Sequence, residues 1–160
     1  MPHRSRIPRV LIKDGVMDYS IEVMIVPVTD VDRSSAFYTE RAGFALDVDY
    51  APADGFRVVQ LTPPGSACSV QIGVGLTDAV PGSLRNLHLV VDDVERARRE
   101  LAERGVAVGE VRHKWPVGEW RGGFRPGVDP ERRDYASFVG FADPDGNTWV
   151  VQERGFHRAA

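Results

Sequence analysis

Near the end of the chain, FADPDGNTWVVQE (residues 141–153) joins a Pro/Gly/Asn turn to an apolar strand that finishes on a carboxylate. A carboxylate at a strand end can ligate a metal, act as a general base, or simply pair with a nearby arginine such as Arg154 or Arg57. In an extended strand side chains alternate between faces, so Trp149, Val151 and Glu153 share one side and Val150 and Gln152 the other. With Trp149 and Glu153 turned into a cleft, Glu153 is the expected general base or sole strong metal ligand. His88 is the second candidate. In the strand NLHLVV it shares a face with Asn86, opposite Leu87, Leu89 and Val91, and it competes with the reading of a hydrogen-bonded structural histidine. Arg57 lies on FRVVQLT with Val59 and Leu61. Turned inward it would hold a substrate carboxylate or enolate oxygen, and turned outward it is surface, with Gln60 and Gln71 as alternatives on neighbouring strands. No Ser, His and Asp are spaced in a way that argues for a nucleophile–base pair.

These residues need elements to position them, and the chain supplies the same series twice. Ser20–Val28 reads as a strand. A helix follows, capped by Asp30 and ended by Gly43, and then the strands FALDVDY, FRVVQLT and CSVQIGV. After Pro81–Ser83 the order restarts with the strand NLHLVV, a helix from Asp93 to Gly105, and the strands VAVGEVRH, YASFVGF and TWVVQER. On the second helix Val94, Ala97 and Leu101 form the apolar stripe. Glu95–Arg99 and Glu100–Arg104 are expected as i,i+4 pairs on the outer face. Such repetition points to two modules, each packing one sheet face on its own helix. The remaining faces are half-polar and suit a wet cleft.

The segment Arg112–Tyr135 repeats nothing. It is rich in Gly and Pro, holds Trp115, Trp120 and Phe124 among basic residues, and reads as a long loop that closes over a ligand, with Trp115 and Trp120 stacking on a planar group. The competing reading packs its tryptophans against a dimer partner.

Composition excludes several classes. The 160 residues are 42% hydrophobic and 27% charged, with a net charge of −3, which suits a globular domain and gives no general reason to bind nucleic acid. No apolar run has the ~20 residues a membrane helix requires. Cys68 is the single cysteine, so no internal disulfide forms, and a reducing cytoplasm fits. The N-terminus is basic: Arg4, Arg6, Arg9 and Lys13 stand against Asp14 within residues 1–16. Residues 1–19 are read as an arm peripheral to function.

Three stretches, VPVTDVDRSSAFYTERAGF, LHLVVDDVERARRELAERGV and FADPDGNTWVVQE, occur in order within this duplicated plan. Together they resemble the vicinal oxygen chelate superfamily, which groups glyoxalase I, bleomycin-resistance proteins and extradiol dioxygenases. The resemblance covers about Ser20 to Arg154. It implies an α+β fold in which residues 20–160 form one glyoxalase-like domain of two tandem βαβββ modules (20–80 and 84–154). Their curled mixed sheet surrounds a shared cleft, with helices on the outside. In metal-using members the cleft holds a divalent ion that chelates neighbouring substrate oxygens. The ligand positions the resemblance implies fall on Val23, Ile72 or Gly73, Asn86 and Glu153. Most of the usual ligand set is therefore absent, leaving Glu153 and His88 as the plausible ligands and the cofactor undetermined between one divalent ion and none. The leading expectation is isomerase- or lyase-type proton transfer in a cytoplasmic homodimer without nucleic-acid or membrane partners. Glu153 acts as base and His88 assists; Arg57 orients an anionic oxygen, and Asn86, Trp149, Trp115 and Trp120 contact the substrate. A dioxygenase is disfavoured, because its iron requires two His and a carboxylate. The alternative is a metal-free binding protein that sequesters a planar drug or metabolite.

Overall fold

Asp30 and Asp93 begin the two helices in the same way. Each side chain accepts from the backbone N–H three residues on, Arg33 and Arg96, at 3.0 Å, which satisfies one of the donors a helix start leaves open. In the computed structural model, which describes residues 15–158, these helices are α1 (Val31–Ala36, continued by a π-helical turn Phe37–Arg41) and α2 (Val94–Glu103). Gly43 and Gly105 close them at φ +80° and +87°, in the left-handed region open to glycine. Most of the expected basic arm lies outside the described residues, and residues 15–22 form no strand or helix.

The first module consists of β1 (Val23–Ile25), α1, β2 (Ala45–Ala53), β3 (Phe56–Thr62) and β4 (Ser69–Val74), with sheet order β1-β4-β3-β2. The second consists of β5 (Leu87–Val91), α2, β6 (Arg112–Trp115), β7 (Gly123–Pro126), β8 (Ser137–Ala142) and β9 (Thr148–Glu153), ordered β5-β9-β8-β6-β7. The first and last strands of each module run parallel, β1 beside β4 and β5 beside β9. The fold is thus α+β, with two mixed sheets of four and five strands. Two local expectations are corrected. The segment Arg112–Tyr135 is not an open loop, because it contains the hairpin β6–β7 that widens the second sheet. On α2 the expected pairs do not form. Glu100 binds Arg96 at 2.9 Å, Glu95 binds Arg132 at 3.1 Å, and Arg104 donates to the Arg41 carbonyl at 2.7 Å.

One core joins the two modules. Phe37 and Tyr38 of the π turn reach Phe141 and Trp149 of the second sheet, with ring centroids 6.2 and 6.0 Å apart. Aromatic contacts of this kind add about 0.5–1.5 kcal/mol beyond the area they bury. The polar half of the joint is the turn Asp143–Asn147. The Tyr38 hydroxyl donates to Asp143 at 2.7 Å and accepts from the Trp149 indole at 3.0 Å. Burial, with Asp143 beside it, pushes the phenol far above its ordinary value. Asn147 donates to the Pro27 carbonyl at 2.9 Å and accepts from the Leu84 N–H at 3.1 Å. The turn therefore pins the ends of β1 and the approach to β5 to the tip of β8–β9. It is a structural joint, and it fixes which face of each sheet remains open.

Candidate functional site

Helices cover one face of each sheet, so any ligand site must be sought on the other. On the second sheet that face forms a cavity of about 740 Å³, a size suited to a small organic molecule. Strand register builds it: His88 on β5 faces Val150 on β9, Gly140 on β8 lies on the far side of Val150, and Phe138 pairs with both Gln152 and Arg112. Lys114 on β6 pairs with Phe124 on β7. Val150 and Phe138, both buried, make an apolar floor. Phe124 and Trp120 are exposed aromatic walls, and Asn86, His88, Gln152, Arg112, Lys114 and Tyr135 complete the lining.

The cavity's charge has one sign. Among the described residues no Asp or Glu lines it. The Arg112 guanidinium lies 5.1 Å from the Phe124 ring centre, and the Lys114 ammonium lies 4.6 Å from that of Trp120 and 5.6 Å from that of Phe138. His88 places Nδ1 2.6 Å from the Asn86 carbonyl. A carbonyl only accepts, which assigns a hydrogen to Nδ1, so that in the neutral ring Nε2 is the acceptor. Asn86 holds a left-handed φ of +59°, and its N–H donates to the Thr148 hydroxyl at 2.8 Å.

Glu153 is on the other side. Across the parallel pair its register partner is Val91, and Leu87–Trp149 and Leu89–Val151 continue the same face. This is the core face. Glu153 is fully buried, with Oε1 2.8 Å from Arg132 Nε and Oε2 2.6 Å from Arg132 Nη2 and 3.0 Å from the Val94 N–H at the start of α2. The expectation that β9 turns Glu153 and Trp149 into the cleft is therefore corrected. The apolar side of β9 is the one the core requires, and a carboxylate at its end is satisfied by a guanidinium and a helix N-terminus. Arg132 in turn is held above its ordinary value, first by its hydrogen bond to Glu153.

The remaining candidates divide. Asn86, His88 and Trp120 line one cavity. Trp149 is core, stacked on Phe141 with the rings 8° from parallel. Arg57 lies on the helix-covered face of β3 and pairs with Asp32 at 2.8 Å and Asp49 at 2.9 Å, so its inward reading is corrected. Those two carboxylates raise the Arg57 pKa through their hydrogen bonds, and Arg57 lowers that of Asp49. Trp115 shares the His113 side of β6 and stacks under Arg125 at 3.8 Å, apart from Trp120. Arg112, Lys114 and Phe138 were not singled out from the sequence. The alternation in RHKW does put Arg112 and Lys114 on one face, but only pairing with β8 shows that this face is the cavity.

Comparison with known proteins agrees with this architecture. Residues 20–151 match the Glyoxalase/Bleomycin resistance protein/Dioxygenase superfamily. The chain belongs to this superfamily. Among solved structures, it is similar to TnmS3, an antibiotic binding protein from Streptomyces sp. CB03234. The two are 30% identical over 86% of this chain and 98% of that one, with a TM-score of 0.65. A glyoxalase/bleomycin resistance protein from the same organism is 32% identical over 84% of this chain and 100% of that one, with a TM-score of 0.62. A superfamily member from Sphaerobacter thermophilus DSM 20745, 24% identical over 87% of this chain and 100% of that one, shares the fold with a TM-score of 0.64. No curated protein matches the chain.

Some glyoxalase-superfamily proteins use a divalent ion, so the donor set here decides whether one fits. Val23 offers no donor atom, Ile72 is buried in the core, a side chain at Gly73 would run into the Arg57 carbonyl, and Asn86 offers only a neutral amide. Glu153 is committed to Arg132 on the opposite face from His88. Among the described residues no group of three or more His, Cys, Asp or Glu could hold a metal. The residues do not fit a metal ion.

Proposed function

We propose that this superfamily member binds and sequesters a planar aromatic small molecule on the open face of its second sheet, and that it does so without a metal ion. The observation that carries this reading is the cavity's construction, with a floor of Val150 and Phe138 beneath walls of Phe124 and Trp120. Covering roughly 250 Å² of apolar ligand surface is worth about 6 kcal/mol, and two ring contacts add about 1–3 kcal/mol. Together these terms set an upper bound of about 7–9 kcal/mol, from which the freedom lost on association is subtracted. Asn86, His88 and Gln152 supply the few polar groups that orient a bound ring. The likeness to an antibiotic binding protein at 30% identity supports the same reading.

The proton-transfer alternative asks for a base beside the ligand. His88 Nε2 keeps it open, and among the described residues no carboxylate lines the cavity. The two readings separate on the fate of the ligand. Incubated with a planar aromatic such as an anthraquinone, the protein is expected to retain it, with the same affinity in EDTA, and to release it chemically unchanged by mass spectrometry. A ligand returned as an isomer or fragment, with the change lost in His88→Ala, would favour the enzyme instead.

We also propose a homodimer. The open face of the first sheet carries Ile25, Val48 and Tyr50, which are exposed, and a second copy laid over a cavity mouth would enclose the ligand between them. With its lone thiol, Cys68, such a protein suits a reducing cytoplasm, and among the described residues no helix is long and apolar enough to cross a membrane.

A further inference from the structure

Two cations face an apolar floor with no counter-charge among the described residues, whereas several arginines elsewhere in the fold end on acids and others on backbone carbonyls. Arg57, Arg96, Arg98 and Arg132 end on Asp49, Glu100, Glu110 and Glu153 at 2.6–3.0 Å. Arg133 ends on Glu131. Arg112 and Lys114 form no ion pair among the described residues, and both rest on aromatic rings instead. A general excess of positive charge does not explain this, since the chain's net charge is −3.

The geometry suits the recognition of an anion. Arg112 and Lys114 alternate with His113 on β6, so they stand on one face, about 7 Å apart along the strand. A cation over a ring is held by the ring's quadrupole without being neutralised, and the N–H groups at a guanidinium's edge remain available to a second partner. The rings therefore fix the two cations in place and leave their charge for a ligand.

We infer that the ligand is a planar aromatic acid, its rings over Val150 and Phe138 and its anionic oxygen held by Arg112 and Lys114. This rests on the binding reading above and narrows it. A cationic aromatic is excluded from the same cavity, because it would meet two positive charges and no carboxylate.

Three probes with one ring system test the inference: anthracene-9-carboxylate, 9-anthracenemethanol and 9-(aminomethyl)anthracene, titrated by energy transfer from the protein's tryptophans. The carboxylate is expected to bind at least tenfold tighter than the ammonium, with the alcohol between. Raising NaCl from about 50 to 500 mM should weaken the carboxylate alone. In the double variant Arg112→Gln/Lys114→Gln the gap between carboxylate and ammonium should close to within about threefold, with an unchanged far-UV circular dichroism spectrum and thermal transition showing that the variant is folded. Equal affinities in the wild type, or a preference for the ammonium, would overturn the acid and leave aromatic binding standing. Failure of all three probes to bind would overturn both.

Discussion

His88 and Glu153 lie on neighbouring strands but on opposite faces of one sheet, and that difference decides what each can do. His88 keeps Nε2 free at the cavity, whereas both oxygens of Glu153 are occupied inside the core. Glu153 is accordingly a stability residue. Glu153→Ala leaves the nearly buried Arg132 cation without its main partner, and breaking half of a buried ion pair costs about 3–5 kcal/mol. Chemical denaturation should show a loss of that order. Affinity for a planar ligand, measured below the transition, should not change. What was legible here was local. Asp30 and Asp93 could be read as caps because the donor they satisfy is three residues away. The Arg132–Glu153 pair spans 21 residues, with Arg132 at a left-handed φ of +49°, and no spacing rule supplies it.

At the scale of elements, the turn Asp143–Asn147 does more than reverse the chain. Asn147 is fully buried and bonds to Pro27, Leu84 and Asp143, so it ties the two modules together. Asn147→Ala strands the Leu84 N–H, which costs about 1–3 kcal/mol when left unsatisfied, and removes one of two donors to the Pro27 carbonyl, which keeps the Gly82 N–H, together with the bond to Asp143. An urea titration should give a loss of about 2–4 kcal/mol, where an exposed turn residue such as Pro144 replaced by Ala should give well under 1 kcal/mol. The turn itself was plain in the sequence, but its partners 63 and 120 residues away were not. The hairpin β6–β7 was missed for a related reason. RHKW and GFRP carry no apolar alternation, and they become strands only by pairing with each other and with β8.

For the whole molecule, the duplicated order of strand, helix and strands was the strongest signal, and it is what the two sheets reproduce. Which sheet face each residue takes was harder, since a polar strand end such as Glu153 fits either an open cleft or a satisfied core. The apolar residues left exposed on the first sheet, Ile25, Val48 and Tyr50, bear on assembly. Sedimentation equilibrium is expected to return twice the 17.7 kDa chain mass, and Tyr50→Asp should shift the protein to monomer and weaken ligand binding together. A wild-type monomer that binds at full affinity would remove the second copy from the site.

The central claim is that function resides on the open face lined by His88, Phe124 and Trp120, not at Glu153. It is tested most directly by the dissociation constant of one planar aromatic acid, anthracene-9-carboxylate, in the wild type, in Trp120→Ala/Phe124→Ala and in Glu153→Gln. Loss of two ring contacts should weaken binding at least tenfold, while Glu153→Gln, kept below its unfolding transition, should stay within about threefold of the wild type. Unchanged binding in the double aromatic variant, with a large loss in Glu153→Gln, would contradict the account.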